Sequence, residues 1–272
     1  MKQGEEMNSY FDKPAEMESP PFLCPNTTNA DTIKLLKEKI YNEAPFSIAR
    51  FGDGELGILK GTLSTTVLKR FCTNWGYDFN TTLTTGLGEA NKIISRAIVD
   101  SDVIGLMSPY TKLFSYNPRV WSISKKQAEF LGIRNPIICD HQIPRSKELG
   151  NIFSFKQILQ GKSLHIISPN VKELSPWISR VLDTDVSFTD HTSINATERY
   201  RVIQEFRNIT APVVIFGTGY FKDYGAILAK QYGKVAIDFG ATLDAWAGKR
   251  TRPWFTPQGH QGYLLVDERF KK

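Results

Sequence analysis

The chain has no Cys-X-X-Cys pair. Its three cysteines, Cys24, Cys72 and Cys139, are odd in number and far apart, which argues against a zinc ribbon or a disulfide framework. Scattered thiols of this kind suit a reducing compartment. Long hydrophobic runs are also missing: no stretch approaches the ~18 apolar residues of a membrane span. Residues 1–18 are polar and acid-rich, without the apolar core of a signal peptide. The expected location is therefore the cytoplasm, with peripheral contact at the inner face of the membrane where a partner is lipid-linked. There is no internal repeat and no low-complexity tract. No Walker lysine-serine pair follows a glycine loop, which weakens an ATPase reading. No Lys/Arg stripe alternates with aromatics, so a non-catalytic nucleic-acid-binding module ranks last among the function classes and nucleic acid is not an expected partner.

What is present is ordinary in amount and informative in position. The 272 residues suffice for one large domain or two small ones, with 41% hydrophobic and 23% charged residues. The formal net charge of +6 favours anionic partners such as nucleotide diphosphates or acidic lipid head groups, although net charge alone locates no patch.

Residues 1–29 are rich in Pro, Glu and Asn and are expected to form a flexible arm, leaving 30–272 as the folded domain. Asp31 can cap a helix carrying Ile33, Leu36 and Ile40 on one face. Phe46 to Ala49 reads as a buried strand, and Leu56 to Leu59 as a brief helix ended by Gly61. Residues 62–86 read as a loop-rich excursion in which Phe71, Trp75, Tyr77 and Phe79 could stack on a base or sugar, ordinary packing being the commoner role of such aromatics. Further strands are expected at 102–107, 136–139, 164–167, 186–188, 212–216 and 235–237. Helices are expected at 87–100, 118–131, 171–182 with an interruption at Pro176, about 195–208, and 224–232. Strands alternating with helices at this spacing specify parallel βαβ units, hence an α/β, Rossmann-like sheet, mostly parallel, with helices on both faces.

In open α/β sheets, ligands bind beyond the carboxyl ends of the strands. The strand ends here present Arg50 to Glu55, Ser108 to Tyr110, Asp140-His141, Ser168 to Asn170, Asp190-His191, Gly217 to Tyr220 and Asp238 to Gly240. Asp53 and Glu55 are two apart. On a helix such a pair does not share a face, but in a glycine-flanked loop both carboxylates can converge on Mg²⁺ or Mn²⁺. Arg50 can fork onto a phosphate or pair with those acids. Gly217-Thr218-Gly219-Tyr220 links a strand to a helix, where free backbone N–H groups favour a phosphate. The full Gly-X-Gly-X-X-Gly fingerprint is not met, since position 222 is Lys. Asp238 nevertheless stands about where a ribose-binding acid would, which keeps an NAD- or nucleotide-binding oxidoreductase as the alternative. Asp140, His141, Asp190 and His191 are candidates for a general base, and at most one of each adjacent pair can face a site.

The segment Ser47-Ile48-Ala49-Arg50-Phe51-Gly52-Asp53-Gly54-Glu55-Leu56 resembles the Arg-Phe-Gly-Asp-Gly-Glu signature of the GT-D-type glycosyltransferases. The piece from Ala236 to Gly248 is similar to the Ile-Asp-Ile/Phe-Gly turn and short helix with which members close their fold. The resemblance implies a single GT-D-like catalytic domain. It also implies metal-dependent transfer of a sugar from a nucleotide-sugar donor, a UDP-sugar first, to a glycan, glycolipid or glycoprotein acceptor in bacterial surface-polysaccharide or glycoprotein synthesis. Asp53 and Glu55 would hold Mn²⁺ or Mg²⁺. Arg50, Phe51, Gly52, Gly54, Ser168, Gly217, Thr218, Gly219, Tyr220 and Asp238 would line the donor. Residues 60–160 show no placeable motif.

Overall fold

The computed structural model describes residues 22–61, 65–66, 68–69, 72, 78–80, 88–107, 122–191, 205–218 and 221–249. Seven short strands rich in Val and Ile form one sheet: β1 (Phe46–Arg50), β2 (Val103–Leu106), β3 (Ile137–Asp140), β4 (Leu164–Ser168), β5 (Val186–Asp190), β6 (Val213–Phe216) and β7 (Val235–Asp238). Their order is β3-β2-β1-β7-β6-β4-β5. Every neighbouring pair is parallel. Strands β1, β2, β4, β6 and β7 are buried along their whole length, as expected where helices cover both faces of a parallel sheet.

The helices are α1 (Asn29–Tyr41), α2 (Asp53–Lys60), α3 (Gly88–Asp100), α4 (Lys125–Leu131), α5 (Lys147–Gly150), α6 (Ile152–Leu159), α7 (Val171–Leu174), α8 (Ile178–Leu182), α9 (Phe221–Gln231) and α10 (Thr242–Trp246). They divide between two cores. One gathers Leu56 and Ile58 of α2, Ile94 and Ala97 of α3, Ala128 of α4 and Ala226 to Ala229 of α9 against Ala49, Ile104 and Phe216. The other gathers Leu36 and Ile40 of α1, Phe155 of α6, Ile178 of α8 and Trp246 of α10 against Ile48, Ile166 and Ile237. Successive β1 residues thus serve opposite layers, as the two-residue strand period requires.

Sequence and structure differ at several boundaries. Thr28, not Asp31, caps α1: its hydroxyl accepts the Asp31 N–H, and Asp31 lies in the first turn. Helix α4 begins only at Lys125, because Ser124 and Gln127 form a reciprocal capping box there. Pro176 leaves two short helices, α7 and α8, in place of one. Residues 22–28 of the expected arm are tied down, with Phe22 bridged to Ser124 and Asn26 bonded to Ile138 and Pro136 beside β3. Residues 1–21, most of 62–87, and the expected helix start near 195 lie outside the described residues.

The chain leaves β1 into α2 on one face and leaves β7 into α10 on the other. Between these adjacent strands the loops part, the position at which open α/β sheets place their ligand crevice.

Candidate functional site

The signature segment forms a strand end and a helix start. Asp53 and Glu55 are the first and third residues of α2, so the expected glycine-flanked loop is corrected to a helical turn. The objection to an i, i+2 pair weakens at this place, because side chains of the first turn can fold over the open helix end. Glu55 does so: its Oε2 accepts the Gly52 backbone N–H at 2.9 Å. The Glu55 carboxylate is buried at the positive end of the helix, where negative charge is favoured. A Cβ added at Gly52 would lie 3.2 Å from Glu55 Oε2 and 3.5 Å from His141 Nε2. Glycine at the cap therefore leaves room for an acid from α2 and an imidazole from the end of β3.

Arg50 forks onto a different acid. Its Nε and Nη2 each donate to the Asp238 carboxylate at 2.9 Å, and its Nη1 donates to the His141 carbonyl at 3.1 Å. Both partners of the ion pair are buried, and Asp238 is fully so. The guanidinium thus ties the ends of β1, β7 and β3 together. Space for it comes from two glycines. A Cβ at Gly105, in the middle of β2, would sit 2.6 Å from Arg50 Cγ, and one at Gly240 would collide with Arg50 Nη2. Gly240 also has φ +49°, a conformation that side-chain-bearing residues rarely adopt.

These contacts correct two expectations. The Arg50 fork, expected on a phosphate or on Asp53 and Glu55, is engaged by Asp238. Asp238, with both oxygens bound to Arg50, is not presented to a ribose, which removes the acid on which the oxidoreductase alternative depended. Phe51 is likewise corrected from ligand contact to core residue, since its side chain is fully buried beside Leu56 and Ile104. Ser168 is fully buried, and its hydroxyl accepts the Asn170 N–H. A Cβ at Gly54 would meet nothing within 4 Å.

The two acid–histidine pairs are separated by the strand order. Asp140-His141 ends β3, two strands from β1, about 10 Å at sheet spacing. Asp190-His191 ends β5 at the opposite edge, four strands from β1 or about 19 Å. Only the first pair therefore joins Glu55. Burial pushes the Asp140 carboxyl up to about 6, against the opposing pull of the Gln142 N–H, Arg145 and Arg50. Its Oδ1 accepts that N–H at 2.6 Å. His141 Nδ1 stands 3.2 Å from Gln142 Nε2, and Arg145 bonds the Gln142 side-chain oxygen. Gln142 and Arg145 thus position the pair, and neither was singled out from the sequence. Gly105 carried a signal, since a glycine inside an apolar strand marks a close approach.

Further along the crevice, Gly217 and Thr218 follow β6, while Gly219 and Tyr220 lie outside the described residues. The Thr218 hydroxyl is buried and has no hydrogen-bond partner among the described residues. At the mouth of β4, Asn170 donates to Asp244 of α10 and accepts from Lys249, which also pairs with Glu173. No group of three or more His, Cys, Asp or Glu that could hold a metal gathers among the described residues. No helix among them is long and apolar enough to cross a membrane.

Compared with known proteins, residues 27–246 match the GT-D fold-like domain. The chain is similar to a structure described as a new glycosyltransferase from Streptococcus sanguinis, with 16% identity and a TM-score of 0.52 over 91% of this chain and 96% of that one. A second structure, described as having a distinct glycosyltransferase fold, is 16% identical with a TM-score of 0.47 over 89% and 96%. No curated protein sequence matches the chain.

Proposed function

The chain belongs to the GT-D-like family, and from that premise we propose that it is a glycosyltransferase. It moves a sugar from a nucleotide-sugar donor, a UDP-sugar first, to a glycan, lipid-linked or protein acceptor of bacterial surface-glycan synthesis, on the cytoplasmic side of the membrane. The observation that carries this reading is the meeting of a carboxylate-bearing helix start with an acid–histidine pair at the carboxyl ends of β1 and β3.

Asp53 and Glu55 offer hard oxygen donors within one helical turn. A donor set of two carboxylates completed by substrate oxygens suits Mn²⁺ or Mg²⁺. When bound there, the ion would neutralise charge on the leaving diphosphate. Glu55 is held in place by the Gly52 N–H. Gly217 and Thr218 precede α9, and the orphaned Thr218 hydroxyl offers a hydrogen bond to the nucleotide part of the donor. His141, whose Nδ1 faces the Gln142 amide and whose Nε2 therefore carries the N–H, orients the attacking acceptor hydroxyl by donating to its oxygen. Arg50 acts through position: by holding Asp238 and the His141 carbonyl it fixes the frame in which these groups meet.

Donor turnover with and without added Mn²⁺ tests the assignment. Asp53→Asn and Glu55→Gln should each lower metal-dependent turnover by about a hundredfold or more, the scale on which preorganised charge stabilisation acts. Full metal-dependent turnover in both variants would remove these residues from the metal role. His141→Ala should lower turnover while leaving Mn²⁺ binding intact, whereas His191→Ala should do neither.

A further inference from the structure

We propose that the corner formed by α4 and the start of β3 is a docking surface for an anionic phospholipid membrane. Phe130, the penultimate residue of α4, is 90% exposed, the most exposed large apolar side chain among the described residues. Ile137, which opens β3, is 39% exposed. Scattered single apolar residues are common on surfaces, so the surroundings decide. Lys126 lies one helical turn before Phe130, on the same face. Lys125 and Arg134 flank it, and all three cations are exposed. Glu129 is the only acid between Lys125 and Ile137.

Several other surface cations are paired. Lys156 and Lys162 are matched with Asp183 and Glu43, and Lys230 with Asp102. Lys126 and Arg134 have no ion pair among the described residues. An exposed aromatic ring between unmatched cations fits an interface where apolar chains lie beneath anionic head groups. A second copy of the chain fits less well. Pairing at the edge of the sheet would need free backbone groups on β3, but Asn26 and Thr27 already occupy Ile138: its N–H donates to the Asn26 side chain, and its carbonyl accepts two backbone N–H groups. A like copy would also bring the same cations face to face.

The surface lies at the amino end of β3, and Asp140-His141 lies at its carboxyl end. Docking would leave the crevice open to donor and acceptor. The inference is independent of the metal and donor assignments above.

Co-sedimentation of the full chain with vesicles tests it. Vesicles of phosphatidylcholine with phosphatidylglycerol should retain the protein, vesicles of phosphatidylcholine alone should not, and high salt should release it. Lys126→Glu and Phe130→Ser should each reduce the partition coefficient about tenfold, from the loss of one charge contact or one buried ring. Because both side chains are exposed, the melting temperature should stay unchanged, which identifies any misfolded variant. No retention by anionic vesicles, or equal retention of wild type and both variants, would overturn the proposal. So would a dimer in light scattering that Phe130→Ser converts to a monomer, which would assign the corner to a second copy.

Discussion

At the scale of single residues, two buried titratable groups act in opposite directions over one pH window. The Asp140 carboxyl is raised to about 6 by burial. The folded chain therefore holds this proton more tightly than the unfolded chain, and stability is lost as pH rises from about 4 to about 6. His165 is lowered to about 4, also by burial. Its ring lies between the hydroxyls of Ser187 and Thr189, at 2.7 and 3.0 Å. For His165 the folded chain holds the proton less tightly, so stability is lost as pH falls from about 6.5 towards 4. Each effect is on the order of 2–3 kcal/mol, and they partly cancel in the wild type. Asp140→Asn should expose the histidine slope, with stability rising steeply between pH 4.5 and about 6.5. His165→Asn should expose the opposite slope. Urea unfolding of the three proteins across this range checks both, and parallel curves would contradict the assignment. Arg50 and Asp238 supply a second residue-level outcome. Asp238→Ala leaves a buried guanidinium without its carboxylate and should cost about 3–5 kcal/mol. The double variant Arg50→Met, Asp238→Leu should be less destabilised than the two single changes summed, because it leaves no charge stranded.

At the scale of elements, helix propensity and packing disagree at Gly225 of α9. An alanine in a helix interior is worth about 1 kcal/mol over glycine. A Cβ at this position, however, would collide with the Phe216 ring of β6. Phe216 is fully buried and stacks against Phe206, so the ring has no open direction. Gly225→Ala should therefore destabilise by about 1–3 kcal/mol, as overpacking does, and a raised melting temperature would show that the helix can shift instead. The same collision explains the limits of the sequence reading. The apolar runs at Phe46 to Ala49 and Val213 to Phe216 were legible as strands, because burial on both faces demands them. The start of α2 was not legible, because Gly52-Asp53-Gly54 is loop-like in composition and becomes helical through the Glu55 carboxylate folding back on Gly52. The partner of Arg50 was hidden for another reason: Asp238 is 188 residues away, and pattern along the chain carries no information on which strand ends become neighbours.

For the whole molecule, the ion pair between Arg50 and Asp238 joins the two segments that carried the family resemblance, one near each end of the chain. The strand order then decides what surrounds them. It brings Asp140-His141 towards Glu55 and sends Asp190-His191 to the far edge. The strand-end rule supplied a list of candidate residues, and topology divided that list between the β1–β3 side of the sheet and the far edge. In the proposed function this crevice binds a nucleotide-sugar through a metal held by Asp53 and Glu55. A thermal-shift screen of UDP-, GDP-, dTDP- and CMP-sugars, each with and without Mn²⁺, measures it most directly. Stabilisation is expected with one nucleotide family, UDP first, only when metal is present, and that shift is expected to be lost in Asp53→Asn and Glu55→Gln. A shift with NAD(H) and none with any nucleotide-sugar would contradict it.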